Sequence, residues 1–221
     1  MVKGAIFDVD GTLLNSMPVW ENLGELYLKR LGIEAEKELG DILCTMSMQQ
    51  GAEYLAAHYD LKLTTEQVMD GISREIRDFY TDRVPLKEGV RGFLEGLREL
   101  GIPMIAATSG DRANAEAAFK RLNIWNLFEM ILTCTGLQTD KNHPDIYLTA
   151  ALQMDCDPDE VLVFEDAYYA LQTAKKAGFK TVAVYDKSND RDLGKIWNLA
   201  DIYLPEYDDF QIFWRRVEKL A

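Results

Sequence analysis

Two aspartates one residue apart, Asp8 and Asp10, stand where the short apolar run Lys3 to Phe7 ends, and Gly11-Thr12 follows them. A run of this kind reads as a buried strand, and ligands of open α/β sheets bind outside the carboxyl ends of their strands. An acid pair there suits a carboxylate nucleophile, a proton donor or a hard metal ion. Three later groups occupy the same kind of position. Thr108-Ser109-Gly110 follows the run Ile102 to Ala107 and offers a hydroxyl with backbone N–H groups, a phosphate cradle at a strand-to-helix junction. Lys141, in the loop Asp140-Lys141-Asn142-His143-Pro144, can set an ammonium against phosphate oxygens. Glu165-Asp166 follows the run Val161 to Phe164 and suits a divalent cation such as Mg²⁺, which takes one or two protein carboxylates, phosphate and water. Each group also has a plainer use. Asp-Gly makes turns, Thr-Ser-Gly can cap a helix, a loop lysine is usually solvated, and Asp166 could cap a helix beginning at Ala167. Their recurrence at separate strand ends favours chemistry.

The elements that position these groups alternate. Met130 to Cys134 and Thr181 to Tyr185 complete five expected strands. Amphipathic helices are expected over Glu88 to Leu100 (apolar Val90, Phe93, Leu94 and Leu97), Arg112 to Leu122, Pro144 to Met154 and Ala167 to Ala177, the last stopped by Gly178. Alternation of this kind implies parallel strands with right-handed crossovers. The fold class is α/β, a Rossmann-like parallel sheet. Nearly a hundred residues without a convincing strand separate the first strand from the second, more than a simple crossover needs. Helices are expected there over Val19 to Leu31, Met48 to Tyr59 and Thr65 to Thr81, the last opened by a capping box from Thr64 to Gln67. Residues 16–83 are therefore read as an inserted α-helical cap, and 1–15 with 84–221 as the core. Asp208 to Ala221 reads as a final amphipathic helix.

Composition narrows the partners. With 37 acidic and 24 basic residues the net charge is −13, and no clustered basic stripe accompanies it, so nucleic acid and anionic membranes are excluded as expected partners. A phosphorylated small molecule would need local positive charge to bind. Three cysteines (Cys44, Cys134, Cys156) without a C-x-x-C pair argue for a reducing compartment. The N-terminus meets a charge too early for a signal peptide, and no apolar run nears the roughly 20 residues of a membrane span. A cytoplasmic monomer is the expectation. Neither a P-loop nor a G-x-G-x-x-G fingerprint is present. His58 is expected to be structural, His143 solvated. Trp20, Met17, Met46 and Met48 could line the inner face of the cap or fill its core.

The order of acid pair, hydroxyl, lysine, acid pair resembles the haloacid dehalogenase-like phosphohydrolases. It is similar in particular to the branch with a helical cap after the first strand, which includes β-phosphoglucomutases and sugar-phosphate phosphatases. Phe7-Asp8-Val9-Asp10-Gly11-Thr12-Leu13 carries the likeness most specifically. The resemblance implies Asp8 as nucleophile, Asp10 as general acid/base, Thr108 as the hydroxyl holding the phosphoryl group and Lys141 as its neutralising cation. Ser109 and Gly110 would complete the phosphate site. Asp8, Asp10 (by its carbonyl), Glu165 and Asp166 would hold Mg²⁺, and Ser16 and Trp20 of the cap would face a small phosphorylated substrate. Four positions depart from the family pattern: Asn15 for Asp, Asn142 for Pro, Ala167 for Ser and Ala170 for Gly. None removes a charged group. Trp20 stands where β-phosphoglucomutases have a histidine that helps engage the acid/base, and an indole offers only an N–H. Hydrolysis is therefore expected, with a phosphosugar mutase as the alternative. A phospho-accepting receiver domain is disfavoured by the inserted cap and the Asp8/Asp10 spacing, and an inactive binding protein by the retained charges.

Overall fold

The computed structural model describes residues 1–44 and 46–220. The chain divides into two compact units, Met1–Asn15 with Pro85–Ala221, and Ser16–Val84. Val84 goes with the second unit, where its N–H donates to the Phe79 carbonyl at 2.8 Å.

The first unit is built on a parallel sheet of β1 (Gly4–Phe7), β2 (Met104–Thr108), β3 (Met130–Thr133), β4 (Val161–Glu165), β5 (Lys180–Val184) and β6 (Ile202–Leu204), in the order β3-β2-β1-β4-β5-β6. Every residue of β1, β2 and β4 is buried, the signature of strands covered on both faces. Phe7 pairs in register with Ala106 of β2 and Phe164 of β4, and its ring stacks on Phe164 at 4.1 Å between centroids. The strand order reverses at β1. The chain runs outward through β2 and β3, then returns to the other side of β1 with β4. The crevice at the carboxyl ends of β1 and β4 is the switch point where α/β proteins place ligands.

The sheet has one strand more than the five expected. Ile202-Tyr203-Leu204 is three residues long and stops before Pro205, too short for alternation to show.

The second unit is helical: α1 (Met17–Glu21), α2 (Leu23–Arg30), α3 (Leu39–Leu43), α4 (Met48–His58) and α5 (Thr65–Asp82). The single helix expected over Val19 to Leu31 is two. It breaks at Asn22 (φ −112, ψ 16), whose side-chain amide donates to the Pro18 carbonyl at 2.7 Å instead of extending the helix. The short α3 was not foreseen. The Thr64/Gln67 capping box forms with both of its hydrogen bonds, and Ser47/Gln50 makes a second one at α4. Glu75 of α5 is buried between the guanidinium groups of Arg30 and Arg83.

Helices α6 (Val90–Glu99), α7 (Arg112–Arg121), α8 (Cys134–Leu137), α9 (Asp145–Gln153), α10 (Tyr168–Lys176), α11 (Leu193–Leu199) and α12 (Phe210–Val217) belong to the first unit. Val90, Phe93, Leu94 and Leu97 are all buried, as their spacing requires. Tyr147 and Ala150 of α9 join Ile6, Ile105 and Val163 of the strands in one core cluster. Phe93 and Phe164 meet Phe213 of α12 in another aromatic group. Each such side chain contributes about 1.5–3 kcal/mol by leaving water. The strands are thereby held rigidly under the residues at their ends. Among the described residues, no helix is long and apolar enough to cross a membrane.

Candidate active site

Asp8 follows β1 directly, and its N–H continues the ladder by donating to the Phe164 carbonyl at 2.9 Å. The chain then turns back on itself. Leu13 and Leu14 N–H groups both donate to the Val9 carbonyl, at 3.0 and 2.8 Å, and Gly11 N–H donates to Leu14 O at 3.0 Å. This turn needs Gly11 at φ 84°, a backbone conformation costly to residues with a Cβ. It holds Asp8 and Asp10 at the sheet edge.

Thr108 is the last residue of β2 and is buried. Its Oγ1 accepts the Gly110 N–H at 2.9 Å, so the segment is a hydroxyl-backbone turn and not the helix cap, which is Asp111. A methyl group placed on Gly110 would lie 3.1 Å from Asp10 Oδ2 and 3.2 Å from Thr108 Oγ1. The absence of a side chain at Gly110 therefore lets the backbone approach both groups. Ser109 is exposed, and its Oγ lies 3.6 Å from the Cys134 sulfur.

Lys141 is not a solvated loop lysine. It is buried, and its ammonium donates to Asp8 Oδ1 and, at 2.6 Å, to Glu165 Oε1. Burial alone would lower the lysine pKa, but the charges of Asp8 and Glu165 outweigh it and hold the ammonium above its ordinary range. Tyr147, reaching up from α9, donates to the same Glu165 Oε1 at 2.8 Å.

Asp8, Glu165 and Asp166 are all buried, and one carboxylate oxygen from each lies within 4.8 Å of the others. Asp166 does not cap the next helix, whose N-cap is Ala167. Burial, and then the nearby Asp8 and Glu165 charges, push Asp166 upward. Burial likewise pushes Glu165 up to about 7, against the pull of Lys141. Three carboxylates face one ammonium, and Asp8 Oδ2 is buried without a hydrogen-bond partner among the described residues. The cluster is short of positive charge, and all its free donors are hard oxygens.

Residues 5–184 match the family of haloacid dehalogenase-like hydrolases. The chain belongs to that family. It is a phosphohydrolase, in keeping with the phosphatases among its relatives. YhcW of Bacillus subtilis (strain 168), named as a phosphatase, is 29% identical over 85% of each chain. The fructose-1-phosphate phosphatase YqaB of Escherichia coli (strain K12) is 28% identical over 82% of this chain and 95% of its own. A Thermotoga maritima structure solved as a candidate β-phosphoglucomutase superposes with a TM-score of 0.85, covering 97% of this chain and 99% of that one at 22% identity, which shows a shared fold.

As a haloacid dehalogenase-like hydrolase, the chain gathers Asp8, Lys141, Glu165 and Asp166 directly, and Asp10 and Thr108 around Gly110. Ser16 and Trp20 belong to the helical unit. Ser16 is fully buried, and Trp20 Nε1 donates to the Tyr80 hydroxyl at 3.2 Å, with the two rings edge to face. Trp20, Met46 and Met48 line an apolar cavity of about 170 Å³ with Leu43, Leu55 and Ile72. His58 stacks on Tyr54 at 5.0 Å, and His143 is exposed beside Asp140. Two residues that touch the acid cluster were not foreseen. Tyr147 sits at a helical core spacing and gave no polar signal. Asn189 lies in the turn-like stretch Lys187-Ser188-Asn189-Asp190, and its amide donates to Asp166 Oδ2 at 2.8 Å.

Proposed function

We propose that this phosphohydrolase cleaves small sugar-phosphate-like monoesters through an aspartyl phosphate formed on Asp8, with Mg²⁺ in the acid cluster. The observation that carries this reading is the Asp8 carboxylate itself, with one oxygen held by the Lys141 ammonium and the other buried without a hydrogen-bond partner among the described residues. Three buried carboxylates facing a single ammonium call for a further cation. Asp8, Asp166 and the Asp10 carbonyl would hold the metal, with Glu165 in or beside that set. Hard oxygen donors and a deficit of positive charge fit Mg²⁺. When bound, Mg²⁺ would neutralise phosphoryl oxygens so that an anionic nucleophile can approach.

The chain's own groups do the rest. An Asp8 carboxylate oxygen attacks phosphorus and the ester P–O bond breaks, while protonated Asp10 gives its proton to the leaving oxygen. Thr108 Oγ and the Gly110 region hold the phosphoryl oxygens, and Lys141 keeps Asp8 oriented and offsets the charge. Asp10, now a carboxylate, takes a proton from water. The water oxygen attacks phosphorus, the bond to Asp8 breaks, and phosphate leaves with Asp8 restored.

Hydrolysis rather than mutase turnover is supported by Trp20, whose only polar hydrogen is engaged by Tyr80. The sugar-phosphate class is supported by the activity named for YqaB. Three cysteines free of disulfides fit a reducing, cytoplasmic setting. The test is phosphate release from a panel of sugar and polyol phosphates, with Mg²⁺ or with excess chelator, alongside β-glucose 1-phosphate with a trace of its bisphosphate. Release that needs Mg²⁺ and exceeds glucose 6-phosphate formation is the expected result. Glucose 6-phosphate outpacing free phosphate would make the chain a mutase, and turnover undiminished in chelator would remove the metal.

A further inference from the structure

The turn after β5 is tied together more firmly than a surface connection requires. Asp186 accepts the Ser188 N–H at 3.0 Å and the Ser188 hydroxyl at 2.7 Å on Oδ1, and its carbonyl accepts the Asn189 N–H at 3.1 Å. Its Oδ2 pairs with Lys87 at 2.9 Å, and both side chains are largely buried. Lys87 is fixed in turn. Its ammonium also donates to the Tyr185 carbonyl, and its backbone N–H donates to Leu13 O at 2.9 Å, within the loop that carries Asp8 and Asp10. The outcome is that the half-buried Asn189 extends its amide to Asp166 Oδ2 at 2.8 Å. The donor assignment is forced, because the amide oxygen would repel a carboxylate at that distance.

We infer that Asn189, held by the Lys87–Asp186–Ser188 chain, is a positioning residue that fixes the Asp166 carboxylate for the divalent cation. This rests on the reading of Asp8, Glu165 and Asp166 as the metal site. Asp166 lies among like charges, those of Asp8, Glu165 and Asp186, which would otherwise turn its carboxylate away from the cluster. A neutral N–H holds one oxygen without adding a competing cation, and it prevents rotation of the carboxylate. Carboxylates that bind metals are commonly held this way, and losing such a partner typically weakens metal affinity about 10- to 100-fold.

The experiment titrates Mn²⁺, as a spectroscopic stand-in for Mg²⁺, into substrate-free protein and reads free Mn²⁺ by electron paramagnetic resonance. Wild type is compared with Asn189→Ala and with Asn189→Ser, whose hydroxyl is too short to reach Asp166. Melting curves without metal are recorded for all three. The expected result is Mn²⁺ binding weakened about tenfold in both variants, at a metal-free melting temperature close to that of wild type. In turnover, the Mg²⁺ activation constant should rise by a similar factor while kcat at saturating Mg²⁺ changes less. If Asn189→Ala does not fold, Asn189→Ser carries the comparison. Mn²⁺ binding equal to wild type in a folded variant overturns the role given to Asn189 and leaves the metal site standing. Absence of Mn²⁺ binding in wild type itself overturns the metal site.

Discussion

At the scale of single residues, the acids were legible because type and position coincided. Asp8, Asp10, Glu165 and Asp166 each follow a short apolar run, and a run that ends in acid says where the sheet edge lies. Lys141 was legible as a cation but not as a buried one. Its partner Asp8 lies 133 residues away, and no local pattern marks a loop lysine that will be enclosed by two carboxylates. Asn189 was invisible for a related reason, since Ser-Asn-Asp reads as a turn whatever its side chains touch. The burial of Lys141 leads to a prediction. Lys141→Met keeps the length of the side chain and removes the only ammonium that faces Asp8 and Glu165 among the described residues. Turnover at saturating Mg²⁺ should fall by about 10²–10³, the typical cost of losing one electrostatic group at a reacting centre. A steady-state assay placing the variant within tenfold of wild type would contradict the role given to Lys141.

At the scale of elements, long periodic segments were readable and short ones were not. The helices α6, α7, α9 and α10 fall within two residues of their expected bounds at each end, whereas the three-residue β6 and the five-residue α3 carry too few positions for a period. Asn22 shows a different failure, a side chain competing for a backbone carbonyl and splitting an otherwise continuous pattern. The short β6 is held by more than its ladder. Asp201, just before it, accepts the Thr181 N–H at 2.8 Å and the Thr181 hydroxyl at 2.9 Å, and pairs with Lys175 at 2.9 Å. Burial would raise the Asp201 carboxyl, but these bonds, led by the Thr181 N–H, outweigh it and hold the group below its ordinary range. A carboxyl depressed by folding contributes stability above its unfolded pKa of about 3.9, and that stability is lost as pH falls through the lower folded value. Asp201→Asn should therefore cost about 1 kcal/mol at pH 7, a figure for hydrogen bonds to a partly exposed charge. The difference should shrink below about pH 4. Thermal melts of both proteins at neutral and acid pH check this, and a gap that widens in acid would refute it.

At the scale of the whole molecule, the net charge of −13 opposes the approach of a phosphorylated substrate, and the acid cluster itself meets the buried Lys141 ammonium. Long-range repulsion is screened by salt, with a Debye length that contracts from about 30 Å at 0.01 M to about 8 Å at 0.15 M. Raising ionic strength over that range should increase kcat/KM severalfold while kcat stays nearly constant. A fall in kcat/KM would instead indicate a basic approach path. The strandless interval falls within the helical unit Ser16–Val84, while the contacts of its helices were not readable, because helical spacing gives a face and not its neighbour. What unites the molecule is the covalent chemistry proposed for Asp8, and the most direct test of it is the mass of the intact protein during turnover. A sugar phosphate that the enzyme turns over is mixed with it and Mg²⁺, quenched in acid within one turnover, and the chain is weighed and then mapped by peptide. One phosphoryl group per chain, on the peptide carrying Asp8 and absent from Asp8→Asn, is the expected result. Turnover proceeding in Asp8→Asn, with the phosphoryl group never found on the protein, would contradict it.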